Sequence, residues 1–207
     1  MPLSPFRDYA NDLSSVLETI DWTGLEPIAH ALLIAWREGS TVFTCGNGGS
    51  SGNAVHLAND FLWGVAPKSG KGMRVNALSA NQSITTCLAN DLSYEEVFAE
   101  QIKIMGHERD VLIVMSGSGN SPNVLRAIDE AKELGMTTIG FFGFDGGQGL
   151  IEADMSFHFP INDMQISEDL QQVVGHMLTR WLNENFEEEQ QKKEQAHGTP
   201  AEISSNR

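Results

Sequence analysis

Two side chains that could do chemistry together are His56 and Asp60, which lie four residues apart in "AVHLANDF". Residues at i and i+4 share one face of a helix, so the imidazole and the carboxylate would lie side by side. Such a pair can ligate a metal ion or transfer protons. A lone histidine is more often simply packed or exposed, and we interpret His30, His107, His158 and His197 in that way.

A glycine-rich loop precedes this pair. Gly46, Gly48 and Gly49 permit a tight turn and a close approach of a ligand to the backbone. Ser50 or Ser51 can cap the helix that follows, whose free amides and dipole favour an anion. A tight strand-to-helix turn that binds no ligand is the alternative.

A second loop, "SGSGNSPNVLRAI", has a similar composition. Ser121 is a good N-cap residue and Pro122 a favourable first helical residue. An ordinary capped helix would account for these two residues but not for the hydroxyls of Ser116 and Ser118. Hydroxyls and amides at a helix N-terminus can together bind phosphate without a lysine.

Neither loop matches a standard nucleotide motif. Walker A loops carry a Gly-Lys-Ser/Thr sequence, and neither loop contains a lysine. The dinucleotide fingerprint fails because Ser51 stands where a glycine is required, and the second apolar run ends in Ser79 rather than an acidic residue. A phosphate-bearing small molecule that is not a nucleotide therefore fits best.

Short apolar runs alternate with helical stretches along the middle of the chain. Runs of this length without alternation are typical of strands that are buried on both faces. Their order with the helices predicts a doubly wound α/β fold with five parallel strands in a domain over residues 41–186. The predicted strands are 41–45, 73–79, 110–116, 137–143 and 155–159.

The two ends of the chain differ from this central domain. Apolar residues at three- and four-residue steps predict a pair of amphipathic helices over residues 1–40. A closing helix is predicted from Leu170 to Phe186. Residues 187–207 are polar, which indicates a frayed helix end and a mobile tail.

Composition narrows the class of protein. The 207 residues carry a net charge of −15, which argues against a broad nucleic-acid surface. No apolar run approaches the roughly 18 residues of a membrane span, and the first residues show no secretory signal pattern. Cys45 and Cys87 are interpreted as two reduced core thiols, so we expect a cytoplasmic protein.

Four stretches, in this order, resemble the sugar isomerase (SIS) domain family, and within it the phosphoheptose isomerase branch. They are "GNGGSSGNAVHLANDF", "LANDLSYEEVF", "RDVLIVMSGSGNS" and "GMTTIGFFGFDGG". The resemblance spans Leu13 to Asn183. It implies a flavodoxin-like sandwich and a homotetramer with the N-terminal helices in its interfaces. The implied reaction converts sedoheptulose 7-phosphate to glycero-manno-heptose 7-phosphate, a step towards lipopolysaccharide heptose.

The resemblance also implies residue roles. The phosphate and substrate positions are Asn47, Gly48, Gly49, Ser50, Asp91, Ser116, Ser118 and Ser121. One zinc ion per subunit would be held by His56, Asp60, Glu168 and His176. Asp169 or Gln172 could take the place of Glu168. Asp60 stands where the family has its base, and His176 where it has its acid.

The chain departs from the family pattern at several positions. Asp60 and Glu168 replace a glutamate and a glutamine of the metal set, Gly117 replaces a threonine, Gly64 an arginine and Gln165 an aspartate. Two non-catalytic alternatives therefore stay open: a SIS-domain regulator of replication initiation and a phosphosugar-sensing module. The retained histidines favour the enzyme.

Overall fold

The computed structural model describes residues 4–66 and 70–197, with side chains through Phe186. Its described part contains five parallel strands in the order β2-β1-β3-β4-β5, which is the flavodoxin-like order. The predicted doubly wound fold is therefore confirmed. The strands are β1 Thr41–Gly46, β2 Arg74–Ala77, β3 Val111–Ser116, β4 Thr137–Phe142 and β5 Met155–His158.

Helices cover both faces of this sheet. They are α1 Ser4–Thr19, α2 Leu25–Glu38, α3 Gly48–Asn59, α4 Gln82–Asp91, α5 Ala99–Met105, α6 Pro122–Glu133, α7 Gly147–Glu152 and α8 Met164–His197. The predicted N-terminal helix pair corresponds to α1 and α2. None of the helices searched in the described residues has the length and apolarity needed to span a membrane.

The core consists of two clusters, one on each side of the sheet. Val42 and Phe43 illustrate the division, because successive strand residues point to opposite faces. Val42 packs with residues of α2, α3 and α8, and Phe43 packs with residues of α5 and α6. Both side chains are fully buried, in agreement with strands that were predicted to be covered on both faces.

Three predicted boundaries differ from the structure by two residues or more, and one burial prediction was wrong. Strand β2 ends at Ala77 rather than at residue 79, because the chain turns there and the Ala80 amide donates to the Ala77 carbonyl. Helix α8 begins at Met164, before the predicted Leu170, because the Asp163 side chain accepts a hydrogen bond from the Ile166 amide at 2.9 Å. It also continues to His197, so part of the predicted tail is helical, and residues 198–207 lie outside the described part.

The burial prediction concerned the two cysteines. Cys45 is a core thiol, and burial raises its pKa. Cys87 is exposed on α4, which has no buried residue. Both thiols are unpaired.

Helices α3 and α8 run side by side in the same direction. Near the start of α8, the Asn53 side chain donates to the Glu168 carbonyl at 2.8 Å and to Gln171 Oε1 at 3.0 Å. Further along, Asn183 Nδ2 donates to the Gly64 carbonyl at 3.2 Å. This parallel pair positions side chains of the two helices opposite one another along their length.

Candidate active site

The first loop joins β1 to α3 at the carboxyl end of the sheet. Gly48 has φ +55°, which favours glycine, and a Cβ on Gly46 would lie 2.8 Å from the backbone oxygens of Met115 and Ser50. The tight turn is therefore as predicted. The predicted cap was wrong, because α3 begins at Gly48 and its N-cap residue is Asn47.

Asn47 makes no side-chain capping bond to α3. Ser50 is buried in the first turn of the helix rather than at its cap. The first turn of α3 therefore lacks the side-chain cap that usually satisfies one of its free amides.

The second loop joins β3 to α6 at the same edge of the sheet. Ser121 is the N-cap residue and Pro122 the first helical residue, as predicted, but Ser121 makes no side-chain capping bond. Ser116 Oγ accepts from the Gly119 amide at 3.0 Å, and Ser118 Oγ accepts from the Asn120 amide at 3.3 Å. These two hydroxyls shape the loop and keep their own protons available for donation.

One cavity of about 240 Å³ lies between the two loops. Seven of the eight predicted phosphate and substrate residues line it: Asn47, Gly48, Gly49, Ser50, Ser116, Ser118 and Ser121. The sheet order reverses between β1 and β3, and open α/β sheets bind ligands in the crevice at such a point.

The eighth residue, Asp91, lies elsewhere. It is exposed at the end of α4, where its carboxylate accepts hydrogen bonds from Asn90 Nδ2 at 2.8 Å and from Cys87 Sγ at 3.4 Å. The hydrogen bond from Asn90, which has the larger effect, and the hydrogen bond from Cys87 both lower the pKa of Asp91. Its role in binding substrate stays a prediction.

Four lining residues lie outside the predicted phosphate and substrate set: Met115, Gly117, Met164 and Glu168. A Cβ built on Gly49 would overlap the carboxyl group of Glu168, so this side chain lies directly over the N-terminus of α3. A Cβ on Gly117 would lie 2.6 Å from Met164 Sδ. Met164 thus occupies the space next to the position where the family has its threonine.

A second group of side chains lies further along the same two helices. The Nε2 atoms of His56 and His176 are 3.1 Å apart, and Asp60 Oδ2 lies 3.4 Å from the first and 3.6 Å from the second. The structure therefore brings together three of the four predicted metal-site residues. Asp60 is 17% exposed, whereas His56 and His176 are 45% and 56% exposed. We call these three residues the His–Asp–His cluster.

Asp60 occupies an unusual backbone position. It begins a π-helical turn, Asp60–Gly64, closed by a hydrogen bond from the Val65 amide to the Asp60 carbonyl at 3.2 Å. Single π turns inside helices are frequent at functional sites. The sequence pattern predicted only a continuing helix.

The spacing of the cluster atoms fits a zinc ion. Zinc is bound tetrahedrally by histidine nitrogen and carboxylate oxygen at about 2.0–2.2 Å, which puts neighbouring ligand atoms about 3.3–3.5 Å apart. The three observed separations, 3.1, 3.4 and 3.6 Å, bracket this value. The cluster is therefore a candidate metal site.

Two of the three proposed fourth ligands, Glu168 and Asp169, lie outside this cluster. The Glu168 carboxyl group lies at Gly49 in the cavity, and the Asp169 carboxylate accepts a hydrogen bond from the Tyr9 hydroxyl at 2.6 Å. That hydrogen bond, followed by desolvation and the Asp169 charge, raises the pKa of Tyr9 to about 12. Gln172 is half-buried one turn before His176 on α8.

The other two departures from the family pattern, Gly64 and Gln165, are at positions that are not crowded by neighbouring atoms. A Cβ on Gly64 would meet Thr179 and Asp60 at 3.5 and 3.6 Å, which are ordinary contact distances. The position could therefore accept the first atom of a side chain, and no crowding by its neighbours explains the glycine. Gln165 is exposed in the first turn of α8.

Comparison with known proteins supports the family resemblance of the sequence. The model of the family described as "SIS domain" matches residues 6–143, about two thirds of the chain. A phosphoheptose isomerase from Helicobacter pylori (strain P12) is 38% identical over 162 residues, which cover 78% of this chain and 84% of that protein.

Solved structures with this fold include two relatives of interest. The phosphoheptose isomerase GmhA from Neisseria gonorrhoeae superposes with a TM-score of 0.80 at 25% identity, covering 88% of this chain and 97% of that one. The E. coli CFT073 protein c3406, solved in complex with A5P, shares the fold with a TM-score of 0.59 at 23% identity, covering 89% and 93% of the two chains. The chain belongs to the SIS-domain family, in its phosphoheptose isomerase group.

Proposed function

We propose that this chain, a phosphosugar isomerase, converts sedoheptulose 7-phosphate to glycero-manno-heptose 7-phosphate through an enediol. The observation that carries the proposal is that the cavity between the two loops, called the anion cavity below, lies at the start of α3, and the His–Asp–His cluster lies further along this helix. His56 and Asp60 follow Ser50 by six and ten residues, about 9–15 Å of helix axis. That separation suits a seven-carbon substrate with its phosphate at one end and its reacting carbons at the other.

The phosphate would be bound by the amides at the start of α3 and by hydroxyls of the second loop. The Ser121 hydroxyl makes no capping bond, and Ser116 and Ser118 can donate although each already accepts a bond. With no lysine in either loop, hydrogen bonds rather than a counter-charge would hold the anion. This local binding has to overcome the unfavourable field of a chain with net charge −15.

Asp60 would transfer the proton between the two reacting carbons. Its carboxylate removes a proton from C1 of the ketose while the C2 carbonyl oxygen gains a proton, which gives the enediol. A proton is then returned to C2, and the C1 hydroxyl loses its proton to form the aldehyde. His176 would move protons to and from the hydroxyl oxygens, and His56 holds Asp60 from the same helix face.

A zinc ion, one per subunit, would be held by His56, Asp60 and His176, whose ligand atoms converge in the manner that zinc requires. When bound, it would polarise the carbonyl and stabilise the developing oxyanion. Asp60 is both a ligand candidate and the proposed base. Elemental analysis of the purified protein would identify the bound ion.

The chain would act as a homotetramer in the cytoplasm. Helix α1 buries none of its residues fully, and Phe6 on it is 77% exposed. Burial of this helix between subunits would remove the exposed apolar surface from water. Sedimentation at micromolar concentration should give a tetramer, and a monomer would contradict the proposal.

A turnover assay tests the reaction directly. The zinc-loaded protein should be incubated with sugar phosphates of five to seven carbons, and the products followed by NMR. The C7 ketose phosphate should be converted fastest, with solvent deuterium entering at C1 or C2. No conversion of any ketose phosphate would favour the sensing or regulatory alternatives instead.

A further inference from the structure

The Asn47 side chain, which lines the cavity, makes a reciprocal contact with Asn123. Asn47 Nδ2 donates to Asn123 Oδ1 at 2.8 Å, and Asn123 Nδ2 donates back to Asn47 Oδ1 at 2.9 Å. The Tyr94 hydroxyl also donates to Asn47 Oδ1, at 3.0 Å. The two lone pairs of this oxygen are therefore both used, while one Nδ2 proton remains free.

This contact is unexpected for a residue at the N-cap of a helix. The backbone of Asn47 is extended, with φ −110° and ψ 153°, as is typical of an N-cap residue whose side-chain oxygen accepts from its own helix. Asn81, the N-cap of α4, behaves in that way and accepts from the Ser83 and Ile84 amides. At Asn47 the oxygen is bound instead by Asn123 and Tyr94.

The consequence falls on the amides that line the anion cavity. A capping asparagine would accept from the second or third helical amide, which here belong to Gly49 and Ser50. Both residues line the cavity. A capped α3 would therefore offer one amide fewer to an anion.

We propose that Asn123 and Tyr94 are positioning residues that hold the Asn47 side chain off the α3 N-terminus, so that these amides stay available to an anion. Asn123 is suited to this role because it is 2% exposed and lies in the first turn of α6, directly after Pro122. Tyr94 supplies the third contact. If the side-chain amides of Asn47 and Asn123 both rotated by half a turn, their two mutual hydrogen bonds would be kept. The Tyr94 hydroxyl, as a donor, favours the orientation in which Asn47 Oδ1 faces it. The proposal rests on the proposed function only in naming the anion as a phosphate.

The first test reads the amides without any ligand. In the full-length protein with Asn123→Ala, the Asn47 side chain should rotate and cap α3. Hydrogen exchange at the Gly49 or Ser50 amide should then slow about fivefold, because this factor corresponds to the typical stabilisation by one N-cap. Tyr94→Phe should produce the same change to a smaller extent. Because Tyr94 is exposed, this variant should fold as the parent does. Unchanged exchange in both variants would overturn the proposal.

The second test measures binding of inorganic phosphate by titration calorimetry. Asn123→Ala should raise the Kd about fivefold, and Tyr94→Phe should raise it by a smaller factor, because in both variants Asn47 competes with the anion for the same amides. An unchanged Kd in both variants would overturn the proposal. Failure of the proposed isomerase reaction would leave both readouts as expected, so the two failures are distinguishable.

Discussion

The carboxylate in the anion cavity gives the sharpest prediction. Glu168 lies over Gly49 at the N-terminus of α3, in the space that a phosphate would approach. We expect Glu168→Gln, which keeps the size of the side chain and removes its charge, to strengthen phosphate binding. The same change should slightly lower the free energy of unfolding of the ligand-free protein, because a carboxylate near a helix N-terminus stabilises the helix by about 0.3–1 kcal/mol.

The size of the effect follows from the cavity. An anion near the centre of a cavity of about 240 Å³ would lie about 5 Å from a lining carboxylate, and two unit charges at that distance repel by roughly 3 kcal/mol at an effective dielectric of about 20. Glu168 is partly exposed, so water and counter-ions screen this repulsion. Movement of the side chain reduces it further. We therefore expect about 1.4 kcal/mol, or a tenfold lower Kd for inorganic phosphate.

Titration calorimetry on the parent and on two variants checks this value. Asp169→Asn is the matched control, because it removes the same charge one residue along α8 from a carboxylate that bonds to Tyr9 rather than lining the cavity. The control should bind phosphate with the parental Kd. The reasoning is refuted if Glu168→Gln binds phosphate no more tightly than Asp169→Asn.

Three further changes test other parts of the site. His56→Ala should lose bound metal by elemental analysis while its phosphate Kd stays within about twofold, because the cavity and the His–Asp–His cluster lie at different heights on α3. Ser121→Ala should weaken phosphate binding but lower the free energy of unfolding in urea by less than about 0.5 kcal/mol, since its hydroxyl makes no capping bond. The Tyr9 pKa of about 12 lies above its unfolded value near 10, so the contact with Asp169 should stabilise the fold fully below about pH 10 and be lost as the pH rises through 12. Ultraviolet titration of the parent against Tyr9→Phe should reveal that late phenolate, and a Tyr9 that ionises near pH 10 would contradict the assignment.

Much of the fold could be predicted because its signals are local. The apolar run ending at Ser116 identifies a buried strand without reference to the rest of the chain, and Pro122 identifies the start of a helix. The end of β2 and the start of α8 were wrong for a local reason too. A turn after Ala77 ends β2 and a cap at Asp163 begins α8, and the apolar pattern indicates neither of them.

The site could be predicted only where its residues share an element or a family motif. Asp60 lies one turn after His56, directly after the last residue of α3, so their proximity follows from helix geometry. The contact between Asn47 and Asn123 joins residues 76 positions apart, and no spacing rule indicates it. The position of Glu168 depends on how α8 packs beside α3, so the sequence could not separate a metal ligand from a cavity residue.

The central claim is that Asp60 transfers the proton between the reacting carbons. The most direct measurement is the rate at which solvent deuterium enters C1 of the ketose phosphate or C2 of the aldose phosphate, compared between the parent and Asp60→Asn. Zinc content should be measured in the same samples. Asp129→Asn, which removes an exposed carboxylate of α6, is the control for charge. Asp60→Asn should slow exchange at least 100-fold, the lower range for loss of a general base, while the control should exchange as the parent does. Exchange at the parental rate in Asp60→Asn would contradict the claim.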